Sequence, residues 1–327
     1  MIRGEKKKKL IGAGLGLGAL LLALKFAVRR PTKEPVPDAI SPAIFSTKVQ
    51  RTSHGQMVYH ESGSGQTLIF CHAPCLGGSS YEWSKVYPEF AATHRVLAPD
   101  WIGFGESERP SARLRAADHV RALADFIRAT CWEQPPVLIG SGLGAGLCAL
   151  LASQHPELVS RLILSMPTGR GDFGRTRLSF ASKLIAGTPL LNRSAYRNHR
   201  STKSAVRRWL VNSMFNNPGA VTDETVAVFT TCAQQYGAEH AMLNLSGLAF
   251  DLEARLKTLT QPVTLLWSEH AVFPPLDAAR RFQEITPGSR LVILKNTGAF
   301  AALEDPPQVA GAIRDELEAG LRPYKAD

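Results

Sequence analysis

Val137-Leu-Ile-Gly-Ser-Gly-Leu-Gly-Ala145 is the stretch whose reading decides the fold. Its first half is a short apolar run that suits a buried strand, and its second half opens a helix-like stretch rich in small residues. Gly140 and Gly144 stand two places either side of Gly142. That is the spacing of a nucleophile elbow, where a strand turns sharply into a helix and small neighbours make room for a strained tip residue. The tip falls on Gly142, which tolerates the backbone easily but has no side chain with which to attack anything. Placing Ser141 at the tip instead would put Ile139 and Leu143 where small residues are required. The same stretch also fits G-x-G-x-x-[GA], a dinucleotide-binding pattern. That reading expects an acid at the end of the next strand, where the chain has Leu164-Ser-Met166.

Outward from the elbow, strands and helices alternate. Strand patterns lie at Lys48–Gln50, Met57–Glu61, Thr67–His72, Arg95–Pro99, Pro136–Gly140, Arg161–Ser165, Pro262–Trp267 and Arg290–Leu294. Helix patterns lie at Glu82–Thr93, Ala112–Cys131, Leu143–Gln154, Leu276–Glu284 and Pro307–Gly320. Such alternation implies an α/β fold, a mostly parallel sheet flanked by helices, with ligands bound beyond the carboxyl ends of the strands. After the sixth strand the alternation stops. Residues from about 167 to 248 read as helical, including Arg177–Ala186, Ser204–Phe215 and Asp223–Tyr236, which fits a helical lid.

The formal charge of +10 is carried mainly by the N-terminal 34 residues, at +7, so the body is only +3 and no nucleic-acid partner is expected. Lys6–Lys9 precede an apolar run from Leu10 to Leu24, followed by Lys25-Phe-Ala-Val28 and Arg29-Arg30. Residues 1–30 are expected to form a single-pass membrane anchor, with a signal peptide as the alternative, and 31–44 a proline-bearing linker to a domain over 45–327. From Pro167 to Phe215 ten Lys/Arg, among them Arg193, Arg197 and Arg207, face one acid, Asp172. This basic face is expected to be solvated or to contact anionic lipid. Five scattered cysteines argue for a reducing compartment and against a disulfide scaffold. No Cys/His/Asp/Glu cluster has metal-ligand spacing, and no cofactor is expected.

Two further stretches carry a family resemblance. Ala98-Pro-Asp-Trp-Ile-Gly-Phe-Gly-Glu-Ser-Glu-Arg-Pro110 resembles the loop after the fourth strand in haloalkane dehalogenases, epoxide hydrolases and related esterases, and Ser79-Ser-Tyr-Glu-Trp83 resembles the corresponding helix start. With His72 after the third strand, the chain after residue 45 resembles the α/β-hydrolase fold family. The resemblance implies a nucleophile, an orienting acid and a general base, in that order along the chain. The nucleophile position is Gly142. The acid loop reads Trp267-Ser-Glu-His-Ala271 and ends in Ala271, and the base loop reads Thr297-Gly-Ala-Phe300, with Ala299 in the histidine's place. Of the oxyanion donors, the backbone N–H of Leu143 survives. The other position, in the His72-Ala73-Pro74 turn, falls on Pro74, which has no N–H.

Replacement chemistry finds few candidates. Cys75 lies beside the presumed site without a group to lower its pKa, and reads as an inert thiol. Glu269 and His270 read as a surface loop, His119 and His240 as packed or solvated, and Asp100 as structural. The expectation is a membrane-tethered pseudo-hydrolase that binds a small apolar or acyl ligand, in a pocket lined by Pro74, Cys75, Ser141, Leu143, Phe273 and Phe300. The alternative is an active hydrolase, esterase- or lipase-like, using non-standard residues. The oligomeric state is left open.

Overall fold

A computed structural model describes residues 44–169, 193–248 and 250–319, together with residue 42. Eight strands form one sheet: β1 Ser46–Thr52, β2 Gly55–Ser62, β3 Thr67–Cys71, β4 Arg95–Pro99, β5 Val137–Ser141, β6 Arg161–Ser165, β7 Val263–Ser268 and β8 Arg290–Leu294. Their spatial order is β1-β2-β4-β3-β5-β6-β7-β8. β2 runs antiparallel to both β1 and β4, and every other pairing is parallel. The central strands are buried on both faces, so β3 and β5 read as unbroken apolar runs rather than alternating ones.

Helices cover both faces. α1 (Ala116–Thr130) follows β4, and the Asp118 carboxylate accepts the Arg115 backbone N–H at 2.8 Å to fix its start. Its stripe of Val120, Leu123, Ala124 and Ile127 joins one core, with α2 (Gly142–Gln154) beside it. Phe70, Trp83, Tyr87 and Ile139 build the core on the other face of the sheet. All eight expected strands are present. The expected helix over Glu82–Thr93 is instead two short 3-10 turns, Ser80–Trp83 and Tyr87–Phe90. Pro88 has no N–H for a helical bond back to Ser84 and is tolerated only in the first turn, where it stands in the second of these, so no continuous helix runs through it.

Between β6 and β7 the described chain is helical: α3 Lys203–Trp209, α4 Asp223–Gln234, α5 Ala238–Asn244 and α6 Leu252–Leu256. This is the helical insertion expected after the sixth strand; the helix expected at Arg177–Ala186 lies outside the described residues. α7 (Leu276–Ile285) follows β7, while α8 (Ala301–Glu304) and α9 (Pro306–Ala319) follow β8.

The basic stretch of the insertion is partly consumed inside the fold. Buried Glu239 receives Arg197 at 2.6 Å and Arg193 at 2.8 Å, and Arg207 pairs with Asp223. These cations hold the insertion together, whereas Lys203 and Arg208 stay exposed.

The expectation of a transmembrane, single-pass protein is corrected. Among the described residues no helix is long and apolar enough to cross a membrane. Residues 1–30, on which the expectation rested, lie outside them. The physical weakness was in the run itself. Leu10 to Leu24 falls short of the about 20 apolar residues a span requires, and reaches that length only by taking in Lys25.

Candidate functional site at the strand-to-helix elbow

The elbow forms where the glycine spacing puts it. Ser141 closes β5 in extended conformation, and Gly142 opens α2 with φ +52°, the left-handed region that glycine enters freely. A Cβ on Gly140 would stand 2.7 Å from the Ala145 Cα, and one on Gly144 2.2 Å from the His72 carbonyl oxygen. Both neighbours must therefore be glycine. At Gly142 the nearest atom to such a Cβ is the Ala73 methyl at 3.3 Å, a tight approach but the least crowded of the three glycines.

Ala271, buried, lies in the loop after β7, and Ala299, half-buried, in the loop after β8. The two loops are tied together by the His270 N–H donating to the Thr297 carbonyl at 3.0 Å and the Glu269 N–H to the Leu294 carbonyl at 2.9 Å. Glu269 and His270 behave as loop residues. The Glu269 carboxylate accepts Lys295 Nζ at 2.9 Å and the Asn296 N–H at 3.1 Å, and these bonds hold its pKa below the usual range.

The insertion closes directly over these loops. The Glu304 carboxylate accepts N–H groups from Gly298 at 2.7 Å, Asn216 at 3.1 Å and Asn217 at 2.5 Å, which pins the loop holding Ala299 against the insertion. Phe300 is buried among the rings of Trp209, Phe215 and Phe229, with centroids 5.5–6.3 Å apart. Pro74 is buried, Cys75 and Phe273 are half-buried, and Leu143 is buried at the start of α2. Burial pushes the Cys75 thiol well above its ordinary pKa, and the nearby Glu82 carboxyl adds to the effect, so a thiolate nucleophile is disfavoured.

His72 and Asp100 serve as braces. His72 Nδ1 donates to the Ala73 carbonyl at 3.0 Å, so Nε2 is left as the acceptor of the Trp101 N–H at 3.2 Å. The Trp101 indole N–H donates to the His72 carbonyl at 2.8 Å. Burial pulls the His72 pKa down, so its 3.8 Å approach to Asp100 is that of a neutral ring. Asp100 accepts N–H groups from Ser80 at 2.6 Å and Glu106 at 2.7 Å. His119, buried, packs edge-on against Trp101, as a lone packed histidine should.

One residue beside the elbow was missed in the sequence. Glu82 is fully enclosed, 2% exposed, and accepts the Ala73 backbone N–H at 2.7 Å. It also shares a hydrogen bond with the Ser141 hydroxyl, and burial raises its pKa to about 7 against the lowering effect of those two bonds. The carboxyl thus bridges the turn after β3 and the last residue of β5, directly behind the elbow. The available signal was an acid set between two large aromatic residues, Tyr81 and Trp83.

The sequence profile of the alpha/beta hydrolase fold matches residues 66–306, and the chain belongs to that family. An uncharacterised protein of Mycobacterium tuberculosis is 26% identical over 288 residues, covering 85% of this chain and 82% of its own. The 2-hydroxy-6-oxo-6-(2'-aminophenyl)hexa-2,4-dienoic acid hydrolase of Metapseudomonas resinovorans is 24% identical over 268 residues, covering 78% of this chain and 84% of its own. Among solved structures, a serine hydrolase involved in carbazole degradation superposes with a TM-score of 0.70 at 21% identity, over 85% of this chain and all of the other. That likeness is one of fold.

Proposed function

We propose that this chain is a non-catalytic member of the α/β-hydrolase family that binds a small apolar or acyl ligand beneath its helical insertion. The observation that carries the reading is Gly142 at φ +52° on the first residue of α2, a nucleophile elbow with nothing at its tip. Ala271 and Ala299 leave no acid or base at the positions the family uses, and Pro74 withholds one oxyanion N–H. An unactivated hydroxyl in such a place remains a weak nucleophile. The half-buried Cys75 and Phe273, with Pro74 and Leu143, supply apolar surface for a ligand.

A panel of short- and medium-chain aryl esters tests the reading. The expected outcome is no turnover above the buffer rate, together with saturable binding of a fluorescent fatty acid. Turnover that disappears in Cys75→Ala or Ser141→Ala overturns it. A triple variant, Gly142→Ser with Ala271→Asp and Ala299→His, restores the three side chains but not the Pro74 N–H. We expect weak ester hydrolysis from it, with a covalent acyl-enzyme trapped at the new serine.

A second reading rests on the Ser141–Glu82 hydrogen bond and the Glu82 pKa of about 7, which suit a serine paired with a general base. Under it the protein is an esterase-like hydrolase whose activity is lost in both Ser141→Ala and Glu82→Gln. Both side chains are almost completely buried, which favours the first reading.

A further inference from the structure

Behind the site, a histidine and two acids some forty residues further along the chain converge on one point. His60 sits on β2, opposite Ala98 of β4 in the ladder, while Asp100 and Glu106 lie in the first half of the loop that leaves β4. One ligand atom from each, a ring nitrogen and two carboxylate oxygens, lies within 4.8 Å of the others. We propose that His60, Asp100 and Glu106 bind a divalent cation of the zinc type, a structural metal that fastens the β4 loop to β2.

His60 provides the independent sign. Its side chain is completely buried, and Nε2, the nitrogen that faces the carboxylates, has no hydrogen-bond partner. Nδ1 is engaged with the Thr47 hydroxyl at 3.1 Å. With Nδ1–H donating to that hydroxyl, Nε2 presents a lone pair to the Glu106 carboxylate. Glu106 Oε2 stands 3.5 Å from Nε2, outside hydrogen-bonding geometry. Ligands about 2.0–2.2 Å from a tetrahedral zinc lie about 3.3–3.6 Å from one another, so the gap fits a shared cation better than a direct bond.

The loop is shaped to bring the two acids together. A Cβ on Gly105 would meet Asp100 Oδ2 at 2.0 Å, and Gly105 itself has φ +52°, so only glycine lets the loop fold over that carboxylate. The Asp100 oxygens already accept the Ser80 and Glu106 N–H groups, a supporting shell that holds the carboxylate in one orientation and leaves a lone pair on each oxygen. Arg109 is the neighbouring cation. Its guanidinium donates to the carbonyls of Ser107 and Gly105, which leaves both carboxylates without a hydrogen bond from it. One imidazole and two carboxylates suit zinc or manganese, with a fourth position left for water through the partly exposed Glu106.

Metal uptake by the full-length, tag-free protein tests this. After chelator treatment and dialysis against Zn²⁺, elemental analysis is expected to show one zinc per chain, and the melting temperature to rise with added Zn²⁺. His60→Gln and Glu106→Gln should each weaken uptake at least tenfold and abolish the thermal shift. Glu106 is partly exposed, so Glu106→Gln remains informative if His60→Gln fails to fold; its circular dichroism should match the wild type. No retained zinc in the wild type overturns the proposal. Equal uptake by wild type and Glu106→Gln does the same, and so does retention of Ca²⁺ or Mg²⁺ in preference to Zn²⁺ and Mn²⁺.

Discussion

Glu82 and Glu61 are both withdrawn from water at opposite ends of the parallel strands, and they are held in opposite ways. Glu61 lies on β2, where Lys48 reaches it at 2.6 Å and Arg95 at 2.7 Å. Burial alone would raise its pKa, but the hydrogen bonds and charges of those two cations win and lower it. Glu82 has no cation beside it among the described residues; it has the Ala73 N–H and the Ser141 hydroxyl, and burial leaves its pKa at about 7. Two cations make Glu61 an ordinary structural pair. An acid kept near neutrality in the position behind the elbow is the costlier arrangement, and such arrangements concentrate at functional sites. In this chain it stands behind the turn at Gly142.

The two ends should differ first in their tolerance of a single methyl group. Gly144→Ala pushes a Cβ to 2.2 Å from the His72 carbonyl and is expected to cost about 3 kcal/mol or more, read as a shift in the urea midpoint. At the other end Gly65, at φ +100°, meets only the Thr93 carbonyl at 3.3 Å, and Gly65→Ala should cost about 1–2 kcal/mol. Equal costs would mean that the elbow end is not the tightly packed one.

Removing Glu82 comes next in size. Glu82→Ala strands the buried Ala73 N–H and the Ser141 hydroxyl and should cost about 2–3 kcal/mol, with Glu82→Gln recovering much of it. The two variants separate lost hydrogen bonding from lost charge.

The pH dependence of stability sharpens the contrast. The folded Glu82 carboxyl, at about 7, holds a proton that an unfolded carboxyl releases near ~4.3, so its contribution is complete below ~4.3 and is lost as pH rises through ~7. The stability of wild type relative to Glu82→Gln should therefore fall by about 3 kcal/mol between pH 4.5 and 7.5. A flat difference would place the carboxyl in a far wetter setting. The smallest effect belongs to Glu61→Gln, about 1 kcal/mol and reduced further by salt, because Lys48 is half exposed.

Much of this was legible in local sequence. The spacing of Gly140, Gly142 and Gly144 pointed to the sharp strand-to-helix turn at Gly142, since the sterics of a tight turn involve residues only a few places apart. The central strands were legible as buried apolar runs. Other features were not. The helix expected across Glu82–Thr93 is broken between Trp83 and Tyr87, and the acid within it sits behind the elbow because Trp83 and Tyr81 bury its segment. Arg193 and Arg197 read as part of a solvated basic face, yet both turn onto Glu239, more than forty residues away. The apolar run before Lys25 read as an anchor from hydropathy alone, and no described helix supports a span.

The sequence by itself determined the α/β-hydrolase scaffold and the place of its sharp strand-to-helix turn, because periodicity and glycine spacing are properties of short stretches. Only the tertiary structure decided that Glu82 stands behind that elbow and that His60 meets Asp100 and Glu106. Those meetings are made by β2 pairing antiparallel with β4 and by the turn after β3 folding against β5. A strand ladder brings together residues that nothing in their sequence separation connects, and it was there that the chain's buried polar chemistry had to be found.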